Sequence, residues 1–390
     1  HASLLTLELL NHHRLSVEDT WDERASWDTR RVQDKCVFTT HTLVEAGHDR
    51  FPYELVERIM GEVIPSNLLK ELGGNDELNM TMLALNLSHF VNGVAKKHGE
   101  VSQALFPGFE IHAITNGIHP FTWGSPYMMT LFDKYLPGWA NEPELLVRVD
   151  IIPDAEIQDA HAGAKAYLFQ YIDEVAGVKF DPELLTIGFA RRATAYKRAN
   201  MIFSDPALLK KIGNGKLQLV FAGKAHPQDD HGKKMIQEIR NQSEFFGDDL
   251  KIVYLPNYNM DVASRLIPGV DIWLNNPLRP LEASGTSGMK AALNGVPNFS
   301  VLDGWWIEGH IEGVTGWSIG PPPTEISTNV NHSDEDVKDL YEKLEKTIIP
   351  LYYNDRKAWT KVMKNAIGKN AYYFNTHVMM RRYVTEAYLR

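Results

Sequence analysis

The sequence predicts an α/β protein of two lobes, one of which is built on a parallel β-sheet. Between about residues 184 and 302, continuous apolar runs alternate with amphipathic segments, the pattern of buried parallel strands joined by right-handed helical crossovers. With 390 residues, the chain also exceeds the usual size of a single hydrophobic core. Ligands of such sheets bind beyond the carboxyl ends of the strands, so polar residues that follow strands are the candidates for a functional site.

The composition argues against several classes of protein. The net charge of −10 is unlike that of a general nucleic-acid binder, and no apolar run approaches the roughly 20 residues that span a bilayer. The single cysteine, Cys36, rules out a disulfide framework and favours a reducing, cytoplasmic compartment. Because the chain opens at His1 inside a helical pattern, with no signal peptide, we expect further sequence upstream.

We expect three parts along the chain, namely residues 1–115, 116–330 and 331–390. The first part is predicted to be helical, with a long helix near 76–98 and short strands at 35–40 and 109–114.

The second part opens with a helix from about 154 to 175, for which Asp154 is a plausible N-cap. The alternation then follows, with strands at 184–190, 217–222, 250–255, 270–274 and 297–302, and helices at 196–211, 230–242, 260–267 and 288–294. The third part is predicted to be helical at 333–349, 356–367 and 376–389.

A Gly-rich turn between a strand and a helix is the most informative stretch. Ser284, Gly285 and Thr286 follow the strand at 270–274 and lead into the helix that carries Lys290. Such a turn leaves backbone N–H groups pointing outward, which suits an anion. An anion cradle beside a lysine is what a phosphate-bearing aldehyde cofactor needs, although an ordinary helix start with a surface lysine fits the spacing equally well.

A cluster of cations follows the strand at 184–190. Residues 191–198 contain Arg191, Arg192, Lys197 and Arg198. Two adjacent anions, such as inorganic phosphate and a cofactor phosphate, would account for that density, and a solvated helix face is the alternative.

Other polar residues at strand ends allow two readings each. Tyr258 is placed to lie beside the same phosphate, while turn chemistry alone explains Asn257 and Asn259. Glu282 is suited to accept a hydrogen bond from a sugar hydroxyl, but a lone glutamate is more often solvated or ion-paired.

His89 lies inside the predicted helix at 76–98, where spacing indicates a core or helix-face histidine.

Two further motifs allow both a functional and a structural explanation. His226–His231 has the composition of a metal cluster but no standard ligand spacing, and Asp230 there is better read as an N-cap. Trp305 and Trp306 either line a sugar channel or pack beneath the cradle.

The run Glu-Ala-Ser-Gly-Thr-x-x-Met-Lys at 282–290 resembles a motif specific to the α-glucan (glycogen, starch and maltodextrin) phosphorylases. The resemblance extends over nearly the whole chain, and the block Ser88–Ala95 is also similar to the family. It implies a two-lobed GT-B-type glycosyltransferase architecture. Residues 1–115 would be the C-terminal part of the N-terminal lobe, 116–330 a complete Rossmann-like lobe for cofactor and phosphate, and 331–390 helices that pack on or cross between the lobes.

The resemblance also implies a cofactor site. Lys290 matches the lysine that holds pyridoxal 5′-phosphate as a Schiff base. The other residues that match the cofactor site are Gly285, Thr286, Arg191, Tyr258 and Trp123.

Catalytic and substrate roles are implied in the same way. Beside Lys290, the catalytic matches are Arg192 and Lys197 on the substrate phosphate and His89, whose carbonyl would lie near the developing oxocarbenium ion. The residues that match the glucosyl site are His41, His89, Asn116, Glu282, Ser284 and Gly285.

Several positions depart from the common family pattern. Thr194 and Ala195 stand in place of a His-Glu pair, Asn259 in place of an arginine, and Ser287-Gly288 in place of Gly-Asn. These departures resemble the shorter bacterial and archaeal branch.

The implied reaction is retaining phosphorolysis of terminal α-1,4-glucosyl units to α-glucose 1-phosphate. Its partners are a glucan or maltooligosaccharide and inorganic phosphate, and a homo-oligomer is possible; no metal, nucleic acid or membrane is expected. A nucleotide-sugar glucosyltransferase of the same architecture and a non-catalytic cofactor- or glucan-binding fragment are the alternatives. We expect little or no activity from residues 1–390 alone.

Overall fold

The computed structural model describes residues 2–16, 20, 22–61, 63–322 and 333–389. The chain divides into two compact units, a smaller one of His1–Thr115 with Arg382–Arg390 and a larger one of Asn116–Arg381. Of the helices in the described ranges, none is both long and apolar enough to cross a membrane.

The smaller unit mixes short strands with helices. Its strands are β1 (Val37–Thr39), β2 (Arg50–Pro52), β3 (Glu77–Asn79), β4 (Phe90–Gly93) and β5 (His112–Ala113). Its α-helices are α1 (Leu4–His12), α2 (Thr29–Gln33), α3 (Tyr53–Met60), α4 (Ser66–Gly73), α5 (Met80–Asn86) and α6 (Lys96–Leu105), and a π-helical segment lies at Tyr383–Tyr388. Strands β1, β4 and β5 form a parallel sheet in the order β1-β4-β5, and β2 pairs antiparallel with β3.

The predicted long helix at 76–98 is wrong. The segment instead contains β3, α5 and β4 and then enters α6. Asn79 ends β3 and caps α5, because its side chain accepts from the N–H groups of Thr81 and Met82. Every residue of β4 is buried. A short run that is apolar on both sides suits a central strand as well as a helix, so periodicity cannot distinguish the two.

The larger unit is built on a six-stranded sheet. Its strands are β6 (Leu185–Arg192), β7 (Leu217–Lys224), β8 (Lys251–Leu255), β9 (Ile272–Asn275), β10 (Asn298–Val301) and β11 (Gly316–Ile319). The order is β11-β10-β9-β6-β7-β8, and all neighbours are parallel. The predicted α/β fold with a parallel sheet is therefore confirmed, and all five predicted strands are present.

Strand β11 is absent from the sequence prediction. It has only four residues and begins with Gly316, which resembles a turn residue in the sequence. Gly316 pairs with Asn298 at the start of β10, and a Cβ at Gly316 would lie 2.1 Å from the carbonyl oxygen of Asn298. Residues 316–319 form a strand because they pair closely with β10.

Helical residues belong to the core clusters on both faces of the large sheet. The α-helices that lie mainly in the larger unit are α7 (Pro120–Trp123), α8 (Pro126–Tyr135), α9 (Asp154–Ala176), α10 (Pro206–Gly213), α11 (Asp230–Phe246), α12 (Met260–Leu266), α13 (Thr286–Leu293), α14 (Trp306–Gly309), α15 (Ser333–Lys343), α16 (Ile349–Asn354), α17 (Arg356–Asn365) and α18 (Thr376–Arg382). Successive residues of β7 face opposite sides: Leu219 and Phe221 belong to one core cluster, Val220 and Ala222 to another. The sheet is thus the central layer of three, as expected for crossovers on both faces.

Three helix boundaries differ from the prediction. The helix expected at 196–211 is two short 3₁₀ turns followed by α10, because Arg198 adopts a left-handed conformation (φ 48°) and Asp205 caps a new helix. Asp154 is the first residue of α9 rather than its cap. The cap of α11 is Asp229, which accepts from the N–H of Gly232, and not Asp230.

Candidate functional site

The predicted cradle lies between β9 and α13. Gly285 has a φ of 89°, a conformation that suits glycine, and it is the N-cap of α13. Within the described part of the chain, the backbone N–H groups of Gly285, Thr286 and Ser287 have no acceptor. The turn therefore presents three donors and the positive end of a helix dipole to an anion.

Lys290 lies one turn inside α13, and its amine is held against an aromatic ring. The Nζ atom is 3.4 Å from the centroid of the Trp123 ring, and no hydrogen bond or ion pair to it is found among the described residues. Burial and, to a lesser extent, repulsion from Arg191 together lower the pKa of Lys290 to about 8. A lysine amine with such a pKa is a good nucleophile for a carbonyl group at neutral pH.

Asn294 holds the turn that carries Trp123 onto α13. Its amide donates to the carbonyl oxygens of Trp123 and Lys290, both at 2.8 Å, and its oxygen accepts from the N–H of Ser125 at 2.7 Å. Asn294 is almost fully buried. The ring and the amine are thus positioned by one side chain that sequence analysis did not identify.

Two of the predicted cations converge on Glu282. Arg191, at the end of β6, donates to Glu282 over 3.2 Å, and Lys197 forms a second buried ion pair with the same carboxylate oxygen. Arg191 also donates to Asn275 at the end of the neighbouring strand β9. The cradle and the cation cluster therefore meet at one edge of the sheet.

The charges of this cluster perturb one another strongly. The pKa of Lys197 is lowered to about 8 by burial and by repulsion from Arg191, which together outweigh the opposing effect of Glu282. For Glu282, burial would raise the pKa, but Arg191 and Lys197 outweigh it and the pKa falls below the ordinary value. Two cations and one carboxylate leave a net positive charge next to the cradle, which favours a further anion.

The remaining cations of the block do not pair with Glu282. Arg192 is exposed, and its side chain has no hydrogen-bond or ion-pair partner within the described ranges. Arg198 is half-buried and pairs with Asp336.

Three buried polar atoms in this region lack a partner among the described residues. They are Nε of Arg191, Oγ1 of Thr194 and Oγ of Ser284. Buried polar atoms in native proteins are almost always hydrogen-bonded, so such a group of orphans indicates places for ligand atoms. Thr194 was noted in the sequence only as a departure from the family pattern.

The loop after β8 contains Asn257, Tyr258 and Asn259. Asn257 adopts a left-handed conformation and Asn259 caps α12 by accepting from the N–H of Val262, so turn chemistry explains both residues. Tyr258 packs on the core, and burial raises its pKa, an effect that the charge of Arg191 partly offsets.

Asp303, which follows β10, fixes the backbone at Glu282. Its carboxylate accepts from the N–H groups of Glu282 (2.8 Å) and Gly304 (2.9 Å). Burial raises the pKa of Asp303 to about 7. Asn275 and Asp303 were not identified from the sequence, although both occupy strand ends, where such residues are expected.

The other predicted site residues lie apart in the chain. Asn116 is the first residue of the larger unit and is half-buried. His41 and His89 belong to the smaller unit. His89 precedes β4 rather than lying in a helix, and its two ring nitrogens lie 3.1 Å and 3.0 Å from the carbonyl oxygens of Gln33 and Ala387.

Of the two readings of the tryptophan pair, packing beneath the cradle is the one observed. Trp305 and Trp306 are buried, and Trp305 packs against Gly288 of α13. No group of acidic, histidine or cysteine residues in the described ranges is arranged to hold a metal ion.

A model of the carbohydrate phosphorylase family matches residues 64–315. The chain belongs to this family. Among curated proteins, it is 40% identical to a maltodextrin phosphorylase of Thermococcus litoralis over 92% of this chain and 47% of the relative. It is 37% identical to a glycogen phosphorylase of Aquifex aeolicus, over 95% of this chain and 58% of the relative. A glycogen phosphorylase of Mycobacterium bovis is 33% identical over the whole chain and half of its own length.

The chain therefore spans about half the length of the curated relatives it matches. The resemblance to α-glucan phosphorylases is confirmed, and the parallel sheet agrees with the GT-B-type fold expected for this family.

Proposed function

We propose that this chain forms the cofactor- and phosphate-binding part of a pyridoxal-phosphate-dependent α-1,4-glucan phosphorylase, a glycosyltransferase. The observation that carries the proposal is the Lys290 amine, which is unpaired among the described residues and lies one turn from a cradle of free N–H groups. The names of the relatives, maltodextrin and glycogen phosphorylase, support the same substrate class.

The residues of the cradle fit a phosphate-bearing aldehyde. Lys290 would bind its carbonyl carbon, Trp123 and Tyr258 would contact its ring, and the N–H groups of Gly285 and Thr286 would receive its phosphate. When bound, pyridoxal phosphate supplies a phosphate group that exchanges a proton with the substrate phosphate.

The cations would hold the substrate phosphate. Lys197, Arg191 and Arg192 are proposed to offset the repulsion between the two anions, which lowers the energy of bringing them together. In the reaction, the bond between the anomeric carbon and the glycosidic oxygen breaks, and a phosphate oxygen bonds to that carbon on the same face. The proton of the phosphate passes to the departing 4-hydroxyl group of the glucan.

The sugar would be held by polar groups around this point. Glu282 and Ser284 would hydrogen-bond to the glucosyl unit, together with Asn116 of the same unit. The same role is proposed for His41 and His89 on the family resemblance alone. Glu282 already pairs with two cations, so its carboxylate is fixed as an acceptor.

The first test concerns Lys290. The chain is incubated with pyridoxal 5′-phosphate, reduced with borohydride and analysed by intact mass and peptide mapping. We expect one pyridoxyl adduct at Lys290, lost in Lys290→Ala and retained in Lys224→Ala, which removes an exposed lysine at the end of neighbouring strand β7. An adduct that Lys290→Ala leaves in place would refute the cofactor assignment.

The second test concerns turnover. Release of α-glucose 1-phosphate from maltooligosaccharide and phosphate is measured with this chain and with a longer form that includes upstream residues. Phosphate-dependent release by the longer form supports the proposal. Transfer from a nucleotide sugar without an adduct would instead indicate the glucosyltransferase, and an adduct without turnover by either form would indicate a binding fragment.

A further inference from the structure

A buried carboxylate on α15 joins the two loops that form the cation cluster. Asp336 is only 1% exposed. Its Oδ2 accepts from Arg198 at 2.6 Å and its Oδ1 accepts from Arg279 at 2.9 Å. Neither arginine touches Glu282, but each is close in sequence to one partner of the Lys197–Glu282 ion pair.

The first loop follows β6. Arg198, directly after Lys197, adopts a left-handed conformation that costs of order 1 kcal/mol outside glycine. Its guanidinium donates to the carbonyl oxygens of Asn276 and Pro277, both at 2.9 Å. Its own carbonyl accepts from the Asn276 side chain at 2.7 Å. The conformation of this loop therefore depends on contacts made by the Arg198 side chain.

The second loop follows β9 and leads to Glu282. Arg279, three residues before Glu282, also donates to the carbonyl oxygen of Ile319 at the end of β11. A Cβ at Gly320 would lie 1.8 Å from Oδ1 of Asp336, so the residue beside Ile319 must be small for the carboxylate to fit. Asp336 thus lies at the junction of three strand ends.

We propose that Asp336 is a positioning residue for the phosphate-binding cations, an inference that rests on the proposed function. By accepting from Arg198 and Arg279 together, it fixes the two loops relative to each other so that Lys197 meets Glu282. It touches neither the cradle nor Lys290, so its influence is limited to the cation cluster.

The location of the carboxylate favours this role. It lies in the first turn of α15, where the helix dipole stabilises a negative charge. Two arginines whose side chains are only 13% and 11% exposed share it, so the Asn variant would leave two cations without a counter-charge. Removal of one partner from a buried ion pair is far more disruptive than the loss of a surface pair.

The test uses site-resolved lysine acylation with mass spectrometry on the chain without added ligands. In Asp336→Asn, we expect the acylation rate of Lys197 to rise about tenfold, because local opening exposes its amine. Lys165 and Lys364 are internal controls, since both are buried and hydrogen-bonded elsewhere in the larger unit. Their rates should stay at the values of the unmodified chain.

A matched variant controls for helix charge. Asp334→Asn removes the same charge from the same first turn of α15, but Asp334 is exposed and contacts neither arginine. It should leave the rate at Lys197 unchanged. If Asp336→Asn does not fold, Arg198→Lys is the alternative variant. It keeps a positive charge beside Asp336 but loses the guanidinium that reaches the carbonyl oxygens of Asn276 and Pro277. It should also raise the acylation rate of Lys197.

Two results would overturn the inference. One is a folded Asp336→Asn variant in which Lys197 reacts at its original rate. The other is a parallel rise at Lys165 and Lys364, which would mean a general loss of stability. Because labelling needs no cofactor, a missing pyridoxyl adduct at Lys290 would refute the proposed function and leave this result standing.

Discussion

The ion pairs of Glu282 allow a quantitative prediction about stability. Glu282→Gln keeps the size of the side chain but removes the charge that Arg191 and Lys197 share. The glutamine amide would also point a donor towards one of the two cations. We expect the variant to be less stable than the original chain and to be rescued by an added anion.

The magnitude follows from the burial of the three side chains. The side chains of Arg191 and Lys197 are 10% and 8% exposed, and that of Glu282 is 7% exposed, so water cannot replace the lost partner. Loss of one partner of a buried pair costs about 3–5 kcal/mol. Since Arg191 keeps Asn275 as an acceptor, we expect about 3 kcal/mol, at the lower end.

Urea unfolding followed by tryptophan fluorescence is a suitable assay. Seven of the nine tryptophans lie in the larger unit, so the signal reports mainly on the unit that holds the site. Asp150→Asn is the control, because Asp150 pairs with Lys361 on the surface and should cost at most about 1 kcal/mol. Inorganic phosphate should stabilise Glu282→Gln more than the original chain, in which the anion competes with the carboxylate.

The dependence on pH gives an internal check. The pKa of Glu282 is lowered in the folded chain, so its stabilising contribution is complete above the ordinary carboxyl pKa and is lost as the pH falls through the lowered value. The difference between the variant and the original chain should therefore shrink in acid. A cost below about 1 kcal/mol at neutral pH would refute the reasoning, because it would mean that the pair behaves like an exposed one.

Two further predictions concern Lys290. With a pKa of about 8, about 9% of the Lys290 amine is uncharged at neutral pH, against about 0.03% for an ordinary lysine. The rate of reductive methylation of Lys290 should therefore rise with pH to a midpoint near that pKa. Arg191→Gln removes a repulsion, raises the pKa of Lys290 and should move the midpoint to higher pH; a midpoint at the ordinary lysine value in the original chain would contradict the assignment. Asn294→Ala removes the amide that donates to the carbonyl oxygens of Trp123 and Lys290 and so holds Trp123 against α13; it should raise the same pKa by admitting water. A midpoint in Asn294→Ala equal to that of the original chain would show that Trp123 is held by other contacts.

Much of the larger unit could be predicted from the sequence. The strands from β6 to β10 were identified because a central parallel strand is buried on both faces and so appears as a continuous apolar run. The cradle was identified because a Gly-rich turn between a strand and a helix has a local signature. These features depend on neighbouring residues in the chain, which the sequence displays directly.

The errors fall where distant contacts decide the local structure. Strand β11 exists because Gly316 pairs with Asn298, and β4 is a strand because it lies between β1 and β5. The segment at 196–211 is interrupted at Arg198, whose conformation is supported by Asn276. None of these partners is close enough in sequence to leave a local signal.

The same division holds for the candidate site. The sequence alone determined which residue types follow the strands, namely the cations after β6 and the small residues and Lys290 after β9. Only the tertiary structure decided that Glu282 pairs with Arg191 and Lys197 and that Trp123 covers the Lys290 amine. The physical reason is that pairing and burial, which set these charges and pKa values, depend on which strand ends are neighbours in the sheet.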